Sequence, residues 1–229
     1  MRRYGPAVLL ALTGAAIWRV SLFSDLYLRY VRPGLRPFLL VSGALLILLA
    51  AAVAALARGQ RQAHSHGPRA AWLLTLPALA LLLFPPPALG SYSAERESAQ
   101  RSSQGVVTFP ALPAGDVLEM SLNEFTARAF YDSRRSLQGR TVRLTGFVTR
   151  DGDGTWYVTR LLVSCCAADA TTVKAEVRGA AGPPADTWVT VTGTWHPEGA
   201  PGSDEAWPPV VDAAEVRRVR APANPYEGR

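Results

Sequence analysis

Cys165 and Cys166 are the two cysteines of this chain, and they stand side by side in Ser164-Cys165-Cys166-Ala167-Ala168-Asp169-Ala170. Thiolates ligate soft ions such as zinc and copper and exchange with disulfides, and Asp169 adds a carboxylate within the same peptide. Adjacency constrains both uses. Consecutive side chains of a strand point to opposite faces, so two neighbouring sulfurs reach one ion only where the backbone bends. A disulfide between neighbours is also awkward, because Cα atoms about 3.8 Å apart lie inside the usual disulfide range. His196, in Thr194-Trp195-His196-Pro197, offers an imidazole to the same site. Three uses stay open: a zinc or copper site built from Cys165, Cys166, Asp169 and His196, a thiol redox sensor, or cysteines that merely pack, with Asp169 capping the turn.

Two further candidates lie in the N-terminal half. His64-Ser65-His66 presents a pair of imidazoles that suits a transition metal, or else a solvated loop. Arg19 falls near the end of an apolar stretch, where a charge either snorkels to the interface or contacts a partner protein inside the bilayer. Against an enzyme stands the lack of a nucleophile elbow, a phosphate loop or a Cys-x-x-Cys pair in the sequence.

The elements that must position these residues divide by charge. Residues 1–90 hold nine Arg and one acid, a formal +8, whereas residues 91–229 hold fifteen Arg or Lys and seventeen acids, a formal −2. The basic excess therefore flanks apolar segments, and the pattern speaks for a membrane lipid environment and against a nucleic-acid partner. Three apolar stretches, at about 6–24, 37–57 and 71–90, each approach the roughly 20 residues a helix needs to cross a bilayer. Phe84-Pro85-Pro86-Pro87 stops or kinks the third. Arg2 and Arg3 ahead of the first stretch favour an inside N-terminus, which places residues 91–229 outside a multi-pass cell-membrane protein.

Residues 91–114, rich in Ser, Gln, Glu and Arg, read as a flexible linker. Ser121-Leu122-Asn123-Glu124 then has the form of a capping box and predicts a short helix presenting Leu122, Phe125, Ala129 and Phe130. Five strands follow, at 140–150, 155–165, 171–178, 187–195 and 209–219, with Asp151-Gly152-Asp153-Gly154 as a hairpin turn and Gly146 and Gly193 as bulges or points of coiling. The expected architecture is a membrane α-helical region of three helices (1–90), the linker, and a small all-β domain (115–221), an OB-like five-stranded partly open barrel, before a tail at 222–229.

Gly139-Arg-Thr-Val-Arg-Leu-Thr-Gly-Phe-Val148, the Cys-Cys-x-Ala-Asp-Ala peptide at 165–170 and the Trp-Val-x-Val-x-Gly strand at 188–193, set behind hydrophobic spans and a histidine-bearing loop, resemble a bacterial family of permease subunits. Members are encoded beside a larger, multi-helix permease, and their C-terminal part has no assigned activity. The resemblance implies a partner rather than a reaction: a non-enzymatic accessory subunit that anchors an extracytoplasmic β-domain beside the transport path. This chain has two histidines in the loop, His64 and His66, where that family's linkers are richer.

Overall fold

A computed structural model of the chain describes residues 4–59, 79, 83, 84, 86–96 and 109–228. The chain forms two compact units, Met1–Ala88 and Leu89–Arg229.

In the first unit, helices α1 (Gly5–Leu22) and α2 (Arg36–Gly59) pack against each other as a hairpin. Small residues let the backbones approach: a Cβ on Gly14 would come 2.9 Å from the carbonyl oxygen of Gly43, and one on Gly43 would meet the Trp18 ring at 2.5 Å. The Trp18 indole N–H donates to the Leu40 carbonyl at 3.0 Å, and Arg36 Nε donates to the Ser21 carbonyl at 2.9 Å. The segments Gly5–Leu22 and Pro33–Arg58 are long and apolar enough to cross a membrane. Phe38, Val41, Leu45, Leu48 and Leu56 are all exposed along α2, the face a lipid environment would cover. Arg19 sits in the last turn of α1 with its side chain exposed. Two of the three expected helices are thus present; the third, at 71–90, lies outside the described residues apart from 79, 83, 84 and 86–90, and the last of these positions, 86–90, are not helical.

The second unit is built on one seven-stranded sheet. Its strands are β1 (Val117–Glu119), β2 (Thr141–Arg150), β3 (Trp156–Val163), β4 (Thr171–Arg178), β5 (Trp188–His196), β6 (Val210–Arg218) and β7 (Tyr226–Gly228). They run in the order β1-β2-β5-β6-β4-β3-β7, and an additional β2–β3 pairing turns the five middle strands into a partial ring. Within the ring only β4 and β6 are parallel. Strict alternation places Val142 and Leu144 of β2 and Val189 and Val191 of β5 inside, each fully buried. Both strand glycines are used as their positions suggest. A Cβ at Gly146 would lie 2.5 Å from the Thr159 carbonyl oxygen, so glycine there lets β2 coil onto β3. Gly193 sits at a bulge against β6, where a Cβ would collide with the Asp212 carbonyl.

Beyond the first unit two short helices occur, α3 (Ser91–Arg96) and α4 (Leu122–Tyr131). The expected cap on α4 is formed, with Ser121 Oγ accepting from the Glu124 N–H at 3.0 Å; the Glu124 carboxylate turns instead to Arg128 at 2.9 Å. Leu122, Phe125 and Ala129 pack into the same cluster as Val142, Val158, Val173 and Val191, closing the interior of the ring. Each of the two larger side chains stabilises by about 1.5–3 kcal/mol through burial.

Three short elements depart from the sequence reading. Residues 91–96, expected within a linker, form α3; β1 adds a parallel strand beside β2; and β7 occupies the expected tail. Two of them, α3 and β7, are tied in by side-chain contacts between residues distant in sequence. Asp186 accepts from both Ser91 N (2.6 Å) and Ser91 Oγ (2.8 Å) at the start of α3. Glu227 of β7 accepts from the N–H groups of Leu122 (3.1 Å) and Asn123 (3.0 Å), the first turn of α4, and lies 3.5 Å from Arg160.

Candidate metal centre

The loop between β3 and β4 carries the cysteine pair. β3 ends at Val163, and the chain makes a single 3-10 turn at Ala167–Asp169 before β4 begins at Thr171. Asp169 organises this turn. One carboxylate oxygen accepts from Ser164 N at 2.8 Å, while the other accepts from Cys165 N at 2.7 Å and Cys166 N at 3.4 Å. Gathering three successive N–H groups onto one carboxylate is the bend that adjacent cysteines need. The two Sγ atoms accordingly converge to 3.6 Å, far beyond the ~2.05 Å of a disulfide, so both are free thiols. Sγ of Cys165, Sγ of Cys166 and a carboxylate oxygen of Asp169 all lie within 4.8 Å of one another.

Electrostatics follow from that geometry. The Cys165 thiol hydrogen-bonds to the Asp169 carboxylate and to Cys166, and these contacts push it up to about 12. In return the thiol and the Ser164 and Cys165 amides hold the Asp169 carboxyl down at about 2. Cys165 is exposed and Cys166 half-buried. An open thiol pair beside a carboxylate attracts cations, and a divalent ion that displaces both thiol protons leaves the cluster's net charge at −1. As an uncoordinated nucleophile Cys165 is poorly activated, because the thiolate is the reactive form and its thiol is held protonated.

Among the described residues of the β-unit, the remaining sequence candidate, His196, stands apart from this group. His196, at the end of β5, directs Nδ1 to the Asp212 carboxylate at 2.8 Å and is not brought into the cysteine cluster. His64 and His66 lie outside the described residues. Sequence reasoning missed what backs the loop: Ala167 and Ala170, on either side of the turn, pack on the apolar cluster formed by Ala94 of α3, Phe147, Leu161, Val163 and Tyr226. Alanines spaced around Asp169 carry no signal of their own, and the cluster is assembled from α3, β2, β3 and β7, which are far apart in sequence.

Residues 116–227 match the family described as the DUF1980 C-terminal domain. The β-unit resembles that family over those residues. The matched segment opens at the residue before β1 and closes inside β7, so it takes in the two short strands that flank the ring and the whole cysteine loop. Helices α1, α2 and α3 precede it. No curated protein and no solved structure matches the chain.

Proposed function

We propose that this chain is a non-enzymatic accessory subunit of a multi-helix permease, anchored in the cell membrane as a multi-pass protein, whose extracytoplasmic β-domain captures a soft metal ion, zinc or copper, at Cys165, Cys166 and Asp169. The observation that carries the reading is the convergence of two free sulfurs, 3.6 Å apart, with a carboxylate inside 4.8 Å on an exposed loop. Ligand types and spacing suit a thiolate site. Two apolar helices support membrane attachment, and the likeness to permease subunits supports the partner. The strand order supports an OB-like barrel: taken in chain order, the five ring strands close as first, second, third, fifth, fourth, first, with the third and fifth parallel. The net acidity of residues 91–229 argues that such a barrel serves something other than nucleic acid.

The test is metal content and thiol titration of the full chain purified in detergent under reducing conditions, wild type against the Cys165→Ser/Cys166→Ser double variant. The expected outcome is one equivalent of zinc or copper in the wild type and none in the variant. Equal metal content in the two proteins would refute the site.

A further inference from the structure

We infer that the ion taken at Cys165, Cys166 and Asp169 is a four-coordinate divalent cation of the zinc class, held by three protein ligands with the fourth position open for transfer. This rests on the metal-site reading above and narrows it.

The first argument is the separation of the sulfurs. Two thiolates at the usual Zn–S length of about 2.3 Å, spanning a tetrahedral angle, lie ~3.8 Å apart, close to the observed 3.6 Å. A linear two-thiolate arrangement, the one open to copper(I), would need the sulfurs roughly twice the bond length apart, about 4.6 Å at the same metal–sulfur distance. The loop is therefore set for a chelating angle.

The second argument is the third ligand. A carboxylate is a hard donor that suits zinc better than monovalent copper. Asp169 cannot swing away without abandoning three backbone N–H groups, yet the oxygen that accepts from Ser164 retains a second lone pair for an ion. The same hydrogen bonds that bend the chain thus orient the ligand, the role that outer partners play around metal ligands generally.

The third argument is what the site omits. Closed structural zinc sites use four protein ligands, whereas sites that exchange a ligand keep one position free. Among the described residues no fourth His, Cys, Asp or Glu joins the group, and His196 is engaged by Asp212 instead. Cys165 is exposed, so an incoming donor can approach from solvent. An ion bound this way sits ready for a thiolate, imidazole or carboxylate of another protein.

Cobalt(II) titration of the full chain in detergent micelles under reducing conditions tests the inference. The expected result is the intense visible absorption of tetrahedral cobalt with a thiolate charge-transfer band, abolished stoichiometrically by zinc, and a visible band that shifts when imidazole is added to fill the open position. Asp169→Asn should weaken zinc by at least about tenfold, the least that loss of even an outer partner costs such sites. A weak six-coordinate cobalt spectrum, a spectrum indifferent to imidazole, or copper(I) uptake without cobalt or zinc uptake would overturn the inference while leaving a metal site in place. Failure to bind zinc, cobalt or copper(I) at all would remove the underlying reading itself.

Discussion

Two aspartates show how a single carboxylate can serve opposite ends. Asp169 spends its hydrogen bonds on an exposed loop and so prepares a binding surface; Asp132 does the same in the interior and so prepares a fold. Buried after α4, Asp132 accepts from Arg134 N at 3.0 Å and from Ser136 N at 2.9 Å, fixing the turn through which Arg135 passes with φ of 49°. Burial alone would raise its pKa, but the hydrogen bonds from Ser136 and Arg134 and the Arg128 charge outweigh it and hold the carboxyl below its ordinary value. The linkage sign follows. A folded pKa below the unfolded one stabilises the native state at pH above about 3.9, and that contribution is lost as pH falls through the folded value. Asp132→Ala should lower stability at neutral pH by about 1–3 kcal/mol, the cost of leaving such donors unpaired, and flatten the acid limb of the stability curve. Urea titrations from neutral pH to pH 2, followed by tryptophan fluorescence, measure both effects; an unchanged acid limb would assign that limb to other groups.

At the scale of elements, legibility in the sequence tracked how local the stabilising pattern is. The five ring strands were readable to within two residues because period-two alternation of Val142, Leu144, Val189 and Val191 is written into contiguous sequence, and the α4 cap because Ser121 acts on a residue three positions on. The bend that unites Cys165 and Cys166 was foreseeable only as a requirement, since its agent, Asp169, suited a plain turn cap equally well. Helix α3 was not legible at all. Six residues cannot sustain a helix alone; this one exists because Asp186, 95 positions away, caps Ser91 and because Ala94 is buried against Phe147, Leu161 and Tyr226. Asp186→Ala should therefore release residues 89–96 while leaving the ring intact. Native-state hydrogen exchange is expected to show lost protection over that segment alone. Unchanged protection there would mean that Ala94 packing suffices without the clamp, and loss across β5 would mean that Asp186 serves the ring instead.

On the scale of the whole β-unit, its beginning, its end and its cysteine loop meet at one place. The Leu89 N–H donates to the Tyr226 hydroxyl at 3.2 Å, Tyr226 packs with Ala94, and Ala167 and Ala170 rest on the same cluster. Beside it, Arg160 passes its guanidinium over Trp188 at 5.0 Å, donates to the Tyr226 carbonyl at 3.2 Å and pairs with Glu227, whose carboxylate in turn serves the first turn of α4. Both members of that ion pair are largely buried, with side chains 9% and 13% exposed, whereas Arg143 and Glu119, an ion pair of shorter distance at 2.8 Å, are 39% and 75% exposed. Proximity ranks the two pairs one way and burial the other. Burial should win, because removing one partner of a buried pair strands a desolvated charge, at a cost of about 3–5 kcal/mol, while exposed pairs are worth about 0–1 kcal/mol. Glu227→Ala is accordingly expected to shift the urea midpoint of the β-unit several times further than Glu119→Ala. Because Glu227 also holds α4, whose Leu122 and Phe125 fill the ring, the loss should appear as one cooperative transition at lower urea and not as fraying of β7. Equal midpoints for the two variants would make β7 a dispensable edge; a separate early transition would confine its role to the cluster beneath the cysteine loop, and would separate the stability of that loop from the stability of the barrel that carries it.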